Sequence, residues 1–117
     1  TYRSTVNIGL EALWLLRDTW QKEIAERLQE FYWVREKDSW DGVFLLDGTK
    51  LKEKALHPVA VIATNAQASL AADGPYSGEC IKKFWNTPVR KGSRRYYDNF
   101  LYKFAWLALS GNYRIWK

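Results

Sequence analysis

The chain has 117 residues, 47% hydrophobic, 26% charged and 16% aromatic, with seven Trp; this is the composition of one ordinary globular unit and excludes a disordered segment. The net charge of +5 and a pI near 9.4 admit an anionic partner, but acidic residues run among the basic ones and the densest patch, Arg90, Lys91, Arg94 and Arg95, surrounds one loop, so a solvated basic surface is read and no nucleic-acid partner is expected. No apolar run reaches about 18 residues, which excludes a helical membrane span, while one Cys and one His are too few for a disulfide framework or a His/Cys metal centre.

No start methionine, signal peptide or targeting tail is read in the sequence. Val6, Leu10, Leu13 and Trp14 share one helical face, which predicts a buried helix from about Ser4 to Leu16. An apolar helix this close to the first residue leads us to expect a piece of something larger. Asp18 or Thr19 is placed to cap a second helix. Its apolar stripe is Trp20, Ile24, Leu28 and Phe31, opposite Lys22, Glu23, Glu26 and Arg27, and it should fade near Val34 to Glu36.

Residues 37–54 change character. Trp40-Asp41-Gly42 marks a turn, Val43 to Leu46 is a short apolar run, and Asp47-Gly48 is a hairpin signal before Thr49 to Leu51. We expect a small β-hairpin inserted between helices. Val59 to Ala72 is alanine-rich, which allows close packing and suits an inner helix ending at Asp73-Gly74. Pro75 fits the first turn of a further helix running to about Trp85, and Asn86-Thr87-Pro88 stops it. After a basic loop, a last helix is expected over Asp98 to Ser110, with Leu101, Phe104, Ala105 and Ala108 on one face and Gly111 closing it. An aromatic tail, Asn112 to Lys117, follows. The fold class is therefore all-α, with about five helices and one small inserted hairpin, joined as antiparallel helical hairpins are.

Catalytic chemistry is harder to find. No triad is assembled around the single His57, no glycine-rich phosphate loop is present, and Cys80 reads as a packed thiol. Carboxylates are plentiful, but glycoside hydrolysis needs two on opposite sides of a scissile bond, and no spacing here selects a pair. Asp98, inside RRYYDN, reads first as the N-cap of the last helix. His57, in Leu56-His57-Pro58, is either a surface loop residue or a polar group at a cleft rim that exchanges hydrogen bonds with hydroxyls. Tyr96 and Tyr97 either pack or stack on a sugar ring, and Arg3 is placed to grip a polar ligand. From the residues alone, the chain is helical, aromatic-lined and suited to carbohydrate.

Four strings carry a closer likeness: TYRSTVNIGLEALW, LHPVAVIATNAQASLAADGP, FWNTPVRKGSRRYYDNFLY and LALSGNYRIW. Together they resemble the C-terminal part of glycoside hydrolase family 8, and within it the reducing-end-xylose-releasing exo-oligoxylanases. The resemblance spans essentially the whole chain. It implies that residues 1–117 are the C-terminal portion of one (α/α)6 barrel, with inner and outer helices alternating and no separate second domain. It also implies an inverting mechanism with a Glu general acid and an Asp general base held apart for a water. By this resemblance the acid lies far upstream and the base immediately before Thr1, so neither catalytic residue is carried here. The substrate-binding residues it implies are Arg3, Leu56, His57, Pro58, Tyr96 and Tyr97. The Leu56-His57-Pro58 loop would close the cleft beyond the reducing-end xylose, with His57 on the anomeric hydroxyl. Lys103 departs from the apolar residue expected in the last helix, and we expect it to snorkel outward.

The expected partners are a xylo-oligosaccharide and the remainder of the barrel, with no nucleic acid and no membrane. No cofactor or metal is implied, because two carboxylates suffice, and a cytoplasmic location is expected. The alternative is a non-catalytic helical fragment or a sugar- or partner-binding module. An exposed apolar helix face separates the readings, since inner helices of a barrel need cover.

Overall fold

The computed structural model describes residues 2–116. It is 59% helical and contains α1 (Tyr2–Trp14), α2 (Thr19–Glu36), a two-stranded sheet of β1 (Gly42–Phe44) and β2 (Lys50–Lys54), α3 (Pro58–Gln67) with a 3-10 turn at Ala68–Leu70, α4 (Ser77–Trp85) and α5 (Arg95–Leu109). Five helices and one hairpin are as expected, in the expected order.

α3 is the centre of the molecule. Residues Ala60 to Gln67 are all buried, and α1, α4 and α5 all pack against it. Its alanines keep the surface shallow, so neighbours come close. At Gly9 of α1 an added Cβ would lie 2.5 Å from the Gln67 carbonyl oxygen, and only glycine permits that approach. α3 therefore holds the inner position expected of it, with α1 and α5 alongside and α2 and α4 behind. Arg17 ties the C-terminal ends of α1 and α3 together, donating to Asp73 at 3.0 Å and to the Leu70 carbonyl at 2.8 Å.

Local signals explain the element ends. Asp18 caps α2: its carboxylate accepts from the Thr19 N–H at 2.7 Å, while Gln21 Oε1 accepts from the Asp18 N–H at 3.0 Å, a reciprocal capping box. Gly48 turns the hairpin at φ +87°, and the Asp47 carboxylate accepts from the Thr49 N–H at 2.9 Å. The strands are antiparallel, with an irregularity between the pairs Gly42–Lys54 and Phe44–Lys50. The hairpin folds back on α2 through Phe44 on Phe31, at 4.9 Å between rings, and through Lys50 on the buried Glu36 at 2.8 Å. Gly111, at φ +78°, ends α5 in a Schellman motif, with the Asn112 N–H donating to the Leu107 carbonyl at 2.9 Å.

Several expectations need correction. The apolar stripe of α2 is not its buried face: Trp20 is 45% exposed, and Gln21, Ala25, Gln29, Tyr32 and Glu36 go inside. Both sets recur at helical spacing, one residue apart, so periodicity alone did not separate them. Of the inward glutamines, Gln21 closes the local capping box, while Gln29 is satisfied by partners far along the chain. Gln29 donates to the Asn65 carbonyl at 2.9 Å and to Ser69 Oγ at 2.8 Å, and accepts from Ser77 Oγ at 3.0 Å.

α4 starts at Ser77, leaving Pro75 in the preceding turn. α5 starts at Arg95, so Asp98 lies inside its first turn and is not its N-cap. Lys103 is exposed, as expected. The aromatic tail folds back on α1: Trp14 donates its indole N–H to the Tyr113 carbonyl at 2.9 Å, and their rings meet edge-on at 5.2 Å. Lys117, the last residue of that tail, lies outside the described residues, as does Thr1.

Candidate substrate-recognition site

Because α2 and α4 each return the chain, α1, α3 and α5 present their N-terminal ends at one side of the molecule. Tyr2 and Arg3, His57 and Pro58, and Tyr97 and Asp98 occupy those three ends. Residues up to 94 apart in sequence are thereby brought together.

Asp98 is the hub. It is completely buried on the first turn of α5. Its Oδ1 accepts from the Ala60 N–H at 2.7 Å, and its Oδ2 lies 3.1 Å from His57 Nδ1 and accepts from the Arg90 guanidinium. Ala60 is the third residue of α3, and His57, at the N-cap position, makes no side-chain capping bond. Asp98 thus caps α3 from another helix, at the positive end of its dipole. The expectation of an N-cap was right in chemistry and wrong in helix.

Arg90 also donates to the Leu56 carbonyl. Its own backbone is clamped by Asn99, which accepts from the Arg90 N–H at 2.8 Å and donates to the Arg90 carbonyl at 2.9 Å. The turn carrying Leu56 and His57 is therefore fixed from below by ion-paired and bidentate contacts, not left as a free loop.

Aromatic rings surround His57. Tyr97 lies 4.8 Å away between ring centroids, and Tyr2 meets both His57 and Tyr97 edge-on at 6.2 and 5.7 Å. Arg3 Nε donates to the Tyr97 hydroxyl at 3.4 Å. That hydrogen bond is the chief cause that raises the Arg3 guanidinium above its ordinary value, so its charge is secure. Leu56 is 60% exposed beside this cluster, and Pro58 opens α3 as its first residue.

Of the six residues named from the sequence, Arg3, Leu56, His57, Pro58 and Tyr97 share this end. Tyr96 does not join the cluster: it is 74% exposed, and its ring packs on Phe100 at 4.7 Å. Consecutive residues on a helix point about 100° apart, so Tyr96 and Tyr97 cannot serve one ring surface. Sequence reasoning missed Tyr2, Arg90 and the hub role of Asp98. The one available signal was an acidic residue in the first turn of a helix, and it says nothing about which helix is capped.

Among the described residues, no three His, Cys, Asp or Glu are grouped to hold a metal ion. Among the described residues of the cluster, Asp98 is the one carboxylate, and its oxygens face three partners. The cluster brings a guanidinium, an imidazole and a phenol ring together at one end of the molecule.

No family profile matches the chain. It is 50% identical over 117 residues to the reducing end xylose-releasing exo-oligoxylanase of Halalkalibacterium halodurans, covering 99% of this chain and 30% of the relative. It is 48% identical over 115 residues to the corresponding enzyme of Paenibacillus barcinonensis, covering 98% and 30%. The solved structure of the Paenibacillus enzyme with xylose superposes with a TM-score of 0.92 at 49% identity, over 99% of this chain and 30% of that one. Another solved reducing-end-xylose releasing exo-oligoxylanase, also with xylose, gives a TM-score of 0.93 at 50% identity, over 99% and 31%. The chain thus spans about 30% of the length of these relatives, at their C-terminal end, and its architecture matches a fragment of an (α/α)6-barrel enzyme.

Proposed function

We propose that this chain forms the reducing-end side of the cleft in an inverting glycoside hydrolase of family 8, one that releases xylose from the reducing end of xylo-oligosaccharides. The observation that carries the reading is the likeness to enzymes of that name at about half identity across 99% of the chain. The convergence of Arg3, His57 and Tyr97 at one end of three helices supports it. In this reading His57 hydrogen-bonds the anomeric hydroxyl of the terminal xylose, and Leu56 and Pro58 shape the wall that closes the cleft beyond it. Tyr97 offers a ring face, and Arg3 lies near the reacting centre. The general acid and general base reside in the remainder of the barrel.

That remainder also accounts for the exposed apolar face. Leu15, Leu16 and Trp20 line a recess of about 550 Å3 at the α1–α2 corner, and Leu16 is 89% exposed. Apolar surface of this kind marks a face built to be covered. A self-contained sugar-binding module has no use for it, so the whole-barrel reading is preferred to that alternative.

Hydrolysis of xylotriose by the complete protein tests the activity. Xylose released from the reducing end, with inverted configuration in the new product, is the expected result; a mixture from internal cleavage of polymeric xylan refutes it. His57→Ala should lower end-selectivity by about 10-fold, the worth of one hydrogen bond in a polar site, while the chemical step changes less. Unchanged end-selectivity sinks the assigned role of His57.

A further inference from the structure

We infer that Asp98 and Arg90 are positioning residues that set the hydrogen-bonding polarity of the reducing-end site: they hold His57 as the Nδ1–H tautomer, so that its Nε2 is an acceptor waiting for a hydroxyl that donates. The inference rests on the proposed function for the identity of that hydroxyl, but its structural half stands on the buried network itself.

Asp98 has three polar neighbours. Its oxygens face an amide N–H, a guanidinium and His57 Nδ1. Two of these three are obligate donors, and the carboxylate that pairs with Arg90 has no proton to give. His57 Nδ1 must therefore be the donor in its contact with Oδ2. One carboxylate charge already faces one guanidinium charge, so the pair needs no second cation. In a neutral ring with Nδ1 protonated, Nε2 carries the lone pair. A histidine on an unsupported loop would exchange tautomers and could offer either polarity; here the second nitrogen is committed by the first.

Arg90 adds the register. The same Nη1 that meets Asp98 also donates to the Leu56 carbonyl, and Asn99 grips the Arg90 backbone through both its amide atoms. The backbone just before His57 and the ring of His57 are thereby referred to one rigid point on α5. Rotation of the ring away from Tyr97, or a shift of the Leu56 turn, has to break that link. Positioning of this kind is what keeps a polar contact within the few tenths of an ångström in which it discriminates.

An acceptor at Nε2 distinguishes substrates by what they can donate. A free anomeric hydroxyl donates; the methyl ether of a methyl glycoside does not. The complete protein should therefore prefer xylotriose to methyl β-xylotrioside, and this preference should depend on Asp98 and Arg90 as well as on His57.

Two measurements test the inference. The first is 15N NMR of the complete protein labelled in its histidine rings, with His57 assigned by subtraction of the His57→Gln spectrum. The expected result is a protonated Nδ1 and an unprotonated Nε2 in the wild type, and mixed tautomers in Asp98→Asn. A wild-type Nε2–H tautomer overturns the inference. The second is the ratio of kcat/KM for xylotriose over methyl β-xylotrioside, expected to fall about 10-fold in Asp98→Asn and in Arg90→Gln, mainly through KM. If both substrates slow equally and the tautomer is unchanged, the pair is merely structural and the inference fails. If Asp98→Asn does not fold, the wild-type tautomer and Arg90→Gln decide the matter. Absence of xylose release from any substrate refutes the proposed activity, while the tautomer still reports on the network.

Discussion

Asp98 sits completely buried with three partners, drawn from the start of α3, the turn before it and the α4–α5 loop. A buried charge is tolerated only when its lone pairs are met; here one side chain both satisfies itself and supplies the cap that α3 lacks. Cys80 is the opposite case, a buried group with no task in this site. Burial pushes its thiol up to about 12, with the neighbouring charge of Glu79 adding to the effect. The folded state thus favours the protonated thiol. That contribution is complete below the ordinary thiol value of about 9 and is lost progressively as pH rises from there toward about 12. In urea unfolding, the stability difference between wild type and Cys80→Ala should stay constant up to pH 8.5 or so and then narrow by about 1.4 kcal/mol per pH unit. A difference that stays flat to about pH 11 contradicts the assignment.

At the scale of elements, the contact between α1 and α3 is the tightest test of the packing. Gly9 meets backbone, not a movable side chain, so Gly9→Ala forces the two helices apart. Overpacking of this kind costs about 1–3 kcal/mol, and chemical denaturation should read the loss directly. Gly78, in α4, has nothing within 4 Å of an added Cβ. Gly78→Ala should instead stabilise by about 0.5–1 kcal/mol through helix propensity and unfolded-state entropy. The same substitution in two helices is expected to change sign, and equal effects would mean that α1 and α3 are not in close contact. α2 shows the complementary lesson. Its inner face is largely polar, and it is held by Gln29 reaching Asn65, Ser69 and Ser77, while Trp20 and Ile24 of its apolar stripe are turned out.

At the scale of the whole molecule, that outward stripe joins Leu15 and Leu16 to make a surface unsuited to water. The 117-residue chain on its own should bind the dye ANS, and the double substitution Leu16→Lys with Trp20→Gln should reduce the fluorescence severalfold without altering far-UV circular dichroism. Absence of dye binding by the unmodified chain would speak against a face that awaits the rest of a barrel. The convergence of three helix N-termini belongs to this scale too. Each of the outer helices α2 and α4 reverses the chain, so α1, α3 and α5 run the same way and bring Arg3, His57 and Tyr97 to one end.

The sequence by itself determined the elements: the capping box at Asp18, the Asp47-Gly48 turn, the buried alanine-rich helix and the Schellman glycine at 111 were all legible. Each depends on residues within a turn or two of one another, where local geometry leaves few choices. The resemblance in its long strings also pointed to Arg3, His57 and Tyr97, which the fold brings to one end. Only the tertiary structure decided which of two equivalent stripes of α2 goes inside, that Tyr97 packs on His57 while Tyr96 packs on Phe100, and that Asp98 caps α3 and meets His57. Those outcomes join residues 38 apart for Asp98 and Ala60, 41 apart for His57 and Asp98, and 94 apart for Arg3 and Tyr97. Helical periodicity fixes a residue's angle around its own axis, but the direction from which a neighbouring helix arrives is set by packing, and that is where this site is made.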